Sequence, residues 1–273
     1  MQQSPISEMM VRAIRLTHRN WPLRVGQDLP NHLGARLAKR GWLKPIWHEF
    51  QPGLWMRLRI EDMTQETILL EDEWDPLLTN FTRKTLGLSD VFIDVGANAG
   101  YFSLIAAKCV GDSGKVLAIE PNPSVAEQLR DNVERNNLSQ VIIEQTACSD
   151  SPSTMTLYLP DKSRLGQASL SKSNAGGVKS VLVKSVTLDQ LIRDHALNRV
   201  TFVKIDVEGA ELMVLRGMTE TLRRLRPIIV LELVPNLLAN LGTTKDEVIA
   251  FLSSFSYSIV SMGGHENYLC RPT

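Results

Sequence analysis

The sequence predicts an α/β domain built on a mostly parallel sheet with helices on both faces. Two observations indicate this fold class. From residue 91 onward, apolar strand-like runs alternate with segments of helical spacing, and this alternation is typical of parallel sheets. The run at 91–95, apolar except for Asp94, also passes abruptly into a loop of small residues at 96–100. Such a loop after a buried strand is where α/β proteins bind ligands.

The N-terminal part is expected to form an extension, residues 1–53, ahead of a domain that spans residues 54–273. Prolines at positions 5, 22, 30 and 45 divide the extension into short helices and loops. Apolar and basic residues alternate over 54–60, which predicts a half-exposed strand. A helix at 74–86 then ends beside a glycine and leads into the first central strand.

Within the sheet region, strands and helices follow one another in a regular order. Helical spacing begins at Tyr101, directly after the small-residue loop. Residues 257–261 and 266–271 flank two glycines, which predicts a closing antiparallel hairpin. The remaining pattern predicts strands at 115–120, 141–145, 201–207 and 228–233, and helices at 123–136, 188–195, 210–225 with a break near Gly217, and 243–254.

An insertion follows the third strand of the predicted sheet. Residues 154–159 and 181–186 are predicted strands, and a segment rich in Ser, Gly and Lys, residues 161–177, connects them. This composition is typical both of a mobile surface connection and of a lid that contacts the substrate. The sequence leaves both interpretations open.

Composition narrows the function class and the compartment. The chain carries 30 basic and 30 acidic side chains, and a net charge of zero argues against a nucleic-acid partner. Three widely spaced cysteines, Cys109, Cys148 and Cys270, fit reduced thiols in the cytoplasm better than disulfides. No apolar run is long enough to cross a bilayer, and no secretion signal is evident. Residues 9–19 predict a basic amphipathic helix, for which packing on the domain is favoured over weak contact with an anionic membrane.

The loop that begins at Asp94 indicates a nucleotide site and restricts the nucleotide. Its pattern is Asp94-x-Gly96-x-Asn98-x-Gly100, with Asn98 where a dinucleotide-binding loop has its second glycine. A pyrophosphate would lose its close approach to the backbone there. An acid at the loop entrance instead favours a cationic ligand, so S-adenosylmethionine, with its ammonium and sulfonium groups, is the preferred ligand. Tyr101 follows the loop directly and is included in the predicted site. The alternative is a tight turn that binds nothing.

Two positions after later strands extend the predicted nucleotide site. Glu120 ends the second strand, where an acid can accept both ribose hydroxyls, and Pro121 fixes the turn that follows. Ala147 begins the loop after the third strand, which passes near the adenine if the first strand is central. A capping or surface glutamate and an ordinary turn are the alternatives.

Residues 203–211 form a second candidate site, because a buried strand ends there in charged residues. Burying Lys204, Asp206 and Glu208 without partners would cost several kcal/mol, so they must pair or face a polar cleft. Strand periodicity places the three on one side, at the same sheet edge as Gly96. Glu232 ends the neighbouring strand at a similar height. An ion pair between Lys204 and Glu232 is as good an interpretation as a catalytic role for either.

Together the two motifs resemble the FkbM family of S-adenosylmethionine-dependent methyltransferases. The resemblance rests on residues 92–101 and 203–217, with Leu-Glu-Leu at 231–233 and Asn-Tyr-Leu at 267–269, and covers about residues 54–272. It implies a Rossmann-like class I methyltransferase fold, which is a mostly parallel seven-stranded sheet with an antiparallel last strand. It also implies O-methylation of a hydroxyl on a sugar, glycolipid or polyketide-like natural product.

Methyl transfer to a hydroxyl requires alignment of the acceptor oxygen and removal of its proton. Asp206 is the first candidate for the proton acceptor and Glu208 the second, and either can instead hold the ammonium group of the cofactor. Lys204 and Glu232 complete the candidate catalytic group. A divalent metal bound by Asp206, Glu208 and Glu232 is a weaker alternative, because no histidine or further acid completes the ligand set.

Other interpretations of the chemistry stay open at this point. A nicotinamide-dependent oxidoreductase has a similar sheet, although Asn98 argues against it. A non-catalytic module that binds a nucleotide or a protein partner is the second alternative. His195 and His265 are less expected as bases, since His195 lies at a helix end and His265 in a glycine turn.

Overall fold

The computed structural model describes residues 5–20, 36–38, 40–160, 165–176 and 179–273. In these residues the strands are β1 (Ile46–Gln51), β2 (Leu54–Leu58), β3 (Val91–Val95), β4 (Lys115–Ile119), β5 (Val141–Glu144), β6 (Ala147–Cys148), β7 (Ser153–Leu159), β8 (Lys179–Val186), β9 (Phe202–Ile205), β10 (Ile228–Glu232), β11 (Tyr257–Gly263) and β12 (Asn267–Pro272). The main helices are α1 (Pro5–Arg19), α2 (Met63–Glu71), α3 (Pro76–Thr85), α4 (Tyr101–Val110), α5 (Pro123–Arg135), α6 (Lys172–Ala175), α7 (Leu188–Asp194), α8 (Glu211–Arg216), α9 (Thr219–Arg224), α10 (Pro235–Ala239) and α11 (Lys245–Ser254).

A seven-stranded sheet forms the centre of the protein, in the order β11-β12-β10-β9-β3-β4-β5. Strands β10, β9, β3, β4 and β5 are parallel, whereas β12 runs antiparallel to both of its neighbours. The predicted mostly parallel sheet with an antiparallel last strand is therefore confirmed. Because β3 lies in the middle of the sheet, the loop that follows it reaches the centre of the carboxyl edge.

Burial explains why the central strands are so apolar. All five residues of β3 are buried, because helices cover both faces of a parallel sheet. On one face the packed helix α4 contributes Ala106 and Ala107, both fully buried. Small side chains let this helix lie close to the sheet, directly after the loop at 96–100.

The break expected near Gly217 is present, since α8 ends at Arg216 and α9 begins at Thr219. A Cβ on Gly217 would lie 2.1 Å from the carbonyl oxygen of Ser149. Only glycine allows this approach of the helix backbone to the loop after β6. The interruption therefore has a packing cause that the sequence does not reveal.

The N-terminal extension packs into the same core as the central sheet. Val11 and Ile14 of α1 are buried with Phe92 of β3, whereas Ile6, Met9 and Leu16 on the opposite side of the helix are exposed. Neither α1 nor any other helix of the described residues is long and apolar enough to span a bilayer.

The structure differs from the sequence-based expectation at three elements of the N- and C-terminal regions. Strand β1 pairs with β2 across residue 53, although loops and short helices were expected up to residue 50. Pro45 suggested a break, but it directly precedes the strand, where a missing N–H is tolerated. Helices α2 and α10 were not expected either. The loops expected around Pro22 and Pro30 lie outside the described residues.

The insertion forms a second, three-stranded sheet in the order β6-β8-β7. The two predicted strands are present as β7 and β8, which pair antiparallel, and β6 is parallel to β8. Between β7 and β8, the described residues hold a 3₁₀ turn (Leu165–Gln167) and helix α6. This connection folds back over the carboxyl edge of the main sheet.

Candidate active site

Two adjoining cavities open at the carboxyl edge of the main sheet. The first, which we call the Glu120 cavity, lies over the ends of β3 and β4 and is also lined by Pro121 and Ala147. The second, which we call the Trp74 cavity, has a volume of about 410 Å³ and is also lined by Tyr101 and Glu232. The residues that line both cavities are Gly96, Asn98, Gly166, Asp206 and Glu208.

Gly96 allows the loop after β3 to touch the end of β9. Its φ is +81°, and a Cβ at this position would lie 1.8 Å from the carbonyl oxygen of Asp206. Any other residue would push the two chain segments apart. The first glycine of the motif thus brings the two sequence motifs into contact.

The backbone amides of this loop are all hydrogen-bonded within the protein. Loops that bind phosphate leave such N–H groups pointing at the ligand, so this loop has no amide left for a phosphate. The bonds join Gly96 N and Ala97 N to Ile119 O (3.0 Å each), Asn98 N to Glu120 Oε2 (2.9 Å), Ala99 N to Asn98 Oδ1 (2.7 Å) and Gly100 N to Ala97 O (2.9 Å).

Glu120 is buried at the wall of the Glu120 cavity and is fixed by two backbone donors. Its Oε2 accepts from Asn98 N at 2.9 Å and its Oε1 accepts from Asn122 N at 2.8 Å. Burial raises the pKa of Glu120 to about 7, although the two amides oppose the shift. Each oxygen retains a lone pair, so the carboxyl can accept hydroxyl donors from a ligand.

Asp94 lies beneath the loop and lines neither cavity, and the same holds for Gly100. With 1% of its surface exposed, Asp94 accepts a hydrogen bond from Ser103 Oγ at 2.6 Å through Oδ2. Its Oδ1 has no hydrogen bond and lies 3.7 Å from Lys204 Nζ. Burial raises the pKa of Asp94, and the charge of Lys204 opposes that shift.

Lys204 joins the two sequence motifs electrostatically. Its Nζ lies 3.2 Å from Asp206 Oδ2 and 5.3 Å from the ring centre of Phe102. Of the two interpretations left open, the ion pair between Lys204 and Glu232 does not form, because the ammonium group pairs with Asp94 and Asp206 instead. Burial disfavours the charge of Lys204, but these carboxylates outweigh burial and raise its pKa.

Glu232 lies at the end of β10 and lines the Trp74 cavity. Burial, followed by the charges of Asp206 and Glu208, raises the pKa of Glu232 to about 9. The raised pKa favours the protonated form, which can donate a hydrogen bond. A carboxylic acid beside a carboxylate gives this edge of the cavity two different proton-transfer groups.

The turn that carries Glu208 is held from two sides. The φ of Glu208 is +55°, which is strained for a residue with a Cβ. Its carbonyl oxygen accepts hydrogen bonds from Ser169 Oγ at 2.9 Å and Asn174 Nδ2 at 2.8 Å. Both donors belong to the insertion, which therefore contacts the site directly.

Glu211 supports the same turn from below, a role that sequence reasoning missed. Its buried Oε1 accepts from the backbone N–H groups of Val207 (3.2 Å) and Gly209 (3.1 Å). Burial raises the pKa of Glu211 to about 7. An acid in the first turn of a helix that follows a glycine was the available signal.

The structure places most of the predicted site residues at one cavity or the other. Predicted cofactor residues at the Glu120 cavity are Gly96, Asn98, Glu120, Pro121, Ala147 and Asp206, whereas Tyr101, Lys204 and Glu232 lie at the Trp74 cavity beside Asp206 and Glu208. His195 bonds to Glu144 at 2.7 Å, away from both cavities. His265 lines the Trp74 cavity, so its glycine turn is part of the site. No group of three His, Cys, Asp or Glu side chains suited to a metal occurs within the described ranges.

Comparison with known proteins adds a family match. A family model described as the methyltransferase FkbM domain matches residues 94–259, which is more than half of the chain. The matched region begins at Asp94 and includes both sequence motifs.

Individual relatives are similar over shorter stretches. Hexuronic acid methyltransferase AglP of Haloferax volcanii is 31% identical over 141 residues, which is 52% of this chain and 55% of that protein. Methyltransferase sdnD of Sordaria araneosa is 33% identical over 156 residues, covering 47% of this chain and 60% of that protein. The chain thus spans little more than half the length of these relatives. A crystal structure of methyltransferase FkbM from Methylobacillus flagellatus is 16% identical, with a TM-score of 0.46 over 90% of this chain and 60% of the other.

Proposed function

The chain belongs to the FkbM methyltransferase family, and on this premise we propose that it methylates a hydroxyl of a sugar, glycolipid or polyketide-like natural product. The methyl donor is S-adenosylmethionine. One relative is named a hexuronic acid methyltransferase, which supports an oxygen-rich acceptor. The Glu120 cavity is assigned to the donor and the Trp74 cavity to the acceptor.

The charge of the two cavities is the observation that carries the proposal. Among their described lining residues, the carboxyl groups are Glu120, Asp206, Glu208 and Glu232, and the only lysine or arginine is Lys204. An acid-rich lining complements a donor that carries ammonium and sulfonium cations. The residues therefore fit S-adenosylmethionine.

The same residues argue against a nicotinamide-dependent oxidoreductase. A dinucleotide needs donors for its pyrophosphate, and the amides from Gly96 to Gly100 are already bonded to protein acceptors. With S-adenosylmethionine bound, by contrast, Glu120 would accept the ribose hydroxyls.

When bound, S-adenosylmethionine supplies a methyl group that its sulfonium makes electrophilic. Asp206 and Glu208 lie where the two cavities meet, so an acceptor oxygen directed at the donor passes beside them. Asp206 takes the hydroxyl proton on its carboxylate as the oxygen attacks. Lys204 holds this carboxylate in place at 3.2 Å.

Glu232 differs from Asp206 because burial and the neighbouring charges raise its pKa and so favour its protonated form. In that form it donates a hydrogen bond to an oxygen of the acceptor rather than acting as a base. Ser169 and Asn174 hold the turn at Glu208 in place from the insertion side.

A methyl-transfer screen with labelled S-adenosylmethionine tests this function over sugars, glycolipids and hydroxylated metabolites. On a confirmed acceptor, Asp206→Asn should lower kcat by about 10²–10⁴-fold, since general-base catalysis contributes that range. Binding of S-adenosylhomocysteine should remain within a few-fold of wild type.

The matched control is Asp150→Asn, an exposed acid in the loop after β6 that lines neither cavity. It should keep the wild-type rate. A full rate in Asp206→Asn would refute the general-base assignment. Labelled products on amino groups alone would refute O-methylation.

A further inference from the structure

The Trp74 cavity has two chemically different ends. Lys204, Asp206, Glu208 and Glu232 form the polar end, where the proposed reaction takes place. The rest of the wall combines apolar side chains with the polar Thr64, Gln167 and Asn174. Its apolar residues include Met56, Met63, Ile68, Trp74, Val234 and Leu237.

An aromatic stack forms part of the apolar end. The rings of Trp74 and His265 lie 5.1 Å apart between centres with an interplanar angle of 28°. The stack presents a flat surface of a kind that binds apolar or ring-shaped ligands. It comes from two distant segments, the start of α3 and the turn between β11 and β12.

Exposed apolar side chains continue this surface to the mouth of the cavity. Met63 is 50% exposed and lines the cavity, and Leu77 is 55% exposed beside the turn that carries His265. A Cβ on Gly264 would lie 3.6 Å from Leu77 Cδ1, so the two segments touch there. Met63 therefore adds exposed apolar surface to the cavity wall, and Leu77 adds it beside the turn that carries His265.

The stack is held in place by a buried hydrogen bond. Asp75, which follows Trp74, has a φ of +40° and accepts from Asn267 Nδ2 at 2.6 Å. Both partners are buried, and Asn267 lies two residues after His265. The other oxygen of Asp75 caps helix α3 at Leu78 N, at 3.0 Å. A strained residue fixed by buried bonds indicates a segment held for binding.

We propose that the acceptor is amphipathic: its hydroxyl-bearing end lies at Asp206 and Glu232, and its apolar body packs on Trp74, His265 and Met63. This inference rests on the proposed methyl transfer, and it names the acceptor class of the same site. A wholly polar acceptor would leave the apolar surfaces of Trp74 and Met63 without an apolar partner and would forgo the free energy of burying them. The apolar body comes either from a lipid tail on a sugar or from a hydroxylated hydrocarbon scaffold.

Isothermal titrations in the presence of S-adenosylhomocysteine test the proposal with three probes. Methyl β-D-glucoside carries only the polar end, octyl β-D-glucoside adds a tail, and 1,2-octanediol carries a tail without a sugar. Octyl glucoside, kept below its micelle concentration, should bind at least about tenfold more tightly than methyl glucoside because several methylenes are buried. Octanediol binding as tightly as octyl glucoside would assign the apolar scaffold, and weaker binding would assign the sugar-linked lipid.

Variants separate the stack from a general effect on folding. Trp74→Ala should lower the ratio of the affinity for octyl glucoside to that for methyl glucoside at least fivefold. Trp74→Phe should keep most of this ratio. Trp42→Ala is the matched control, since Trp42 is 65% exposed and lines neither cavity. It should bind all probes as the wild type does.

Equal or undetectable binding of the two glucosides by the wild type would overturn the inference. The inference would also be overturned if Trp74→Ala and Trp74→Phe lost affinity for S-adenosylhomocysteine as much as for octyl glucoside. The effect of the substitutions would then be structural. Failure of the wild type to bind S-adenosylhomocysteine at all would instead contradict the proposed function. The two failures are therefore distinguishable.

Discussion

Replacing Lys204 by Met tests the electrostatic link between the two motifs. Lys204 is 5% exposed and its ammonium group is shared between Asp94, which is 1% exposed, and Asp206. Methionine keeps the aliphatic volume beside Phe102 but leaves the Asp94 carboxylate without a counter-ion. Removing one partner of a buried pair costs about 3–5 kcal/mol of unfolding free energy.

Urea denaturation at pH 8 measures the effect, with the slope checked to remain unchanged. The double variant Lys204→Met/Asp94→Asn should lose less stability than the sum of the two single variants, with a coupling of about 1–3 kcal/mol. The deficit of Lys204→Met should also shrink as the pH is lowered, because the buried Asp94 then takes up a proton. Lys115→Met is the control, since Lys115 is exposed at the start of the neighbouring strand and should change stability by less than about 0.5 kcal/mol.

A loss of less than about 1 kcal/mol in Lys204→Met would refute the reasoning. Additive behaviour of the double variant would refute it equally, because Lys204 and Asp94 would then not depend on each other.

Two further predictions concern the turn at Glu208 and the glycine loop. Folding raises the pKa of Glu211 from 4.5 to about 7, so the folded state keeps a proton that the unfolded state loses, and the free energy of unfolding falls as the pH rises through this window. Glu211→Gln should remove this fall, so that from pH 5 to pH 8 its free energy of unfolding rises relative to that of the wild type by on the order of 1–3 kcal/mol. A difference between variant and wild type that does not change with pH would contradict the shift. Gly96→Ala should lower stability by more than about 1 kcal/mol and abolish S-adenosylhomocysteine binding, because its Cβ would meet Asp206 O. Gly242→Ala, at φ +73° but with open space around its Cβ, should bind normally, and equal losses in both would show that backbone strain alone is responsible.

The order of strands and helices was predictable because the strands of a parallel sheet are continuously apolar and the turns carry Gly or Pro. Helix α2 was not predictable, because its apolar residues do not fall on one face, and tertiary contacts of Ile68, Leu69 and Leu70 hold it. Strand β1 was missed because it lies in the segment up to residue 50, which the spacing of its prolines indicated to be short helices and loops.

The site was predictable as two motifs, but not in its internal pairing. Sequence spacing brought Asp206 and Glu208 to the edge where Gly96 lies, and the cavities confirm their proximity. It did not show that Asp94 would be buried under the loop, since burial depends on helix α4 and Ser103. The contribution of Trp74 and His265 was also hidden, because a stack between residues so far apart in the chain leaves no local pattern.

Calorimetric titration of the wild-type protein with S-adenosylhomocysteine and with NAD tests the central claim most directly. The acid-rich lining and the fully bonded loop amides predict that S-adenosylhomocysteine binds and that NAD binds at least about 100-fold more weakly, a difference of about 2.7 kcal/mol. Glu120→Gln should weaken the first ligand. NAD binding as tight as that of S-adenosylhomocysteine, or tighter, would contradict the account.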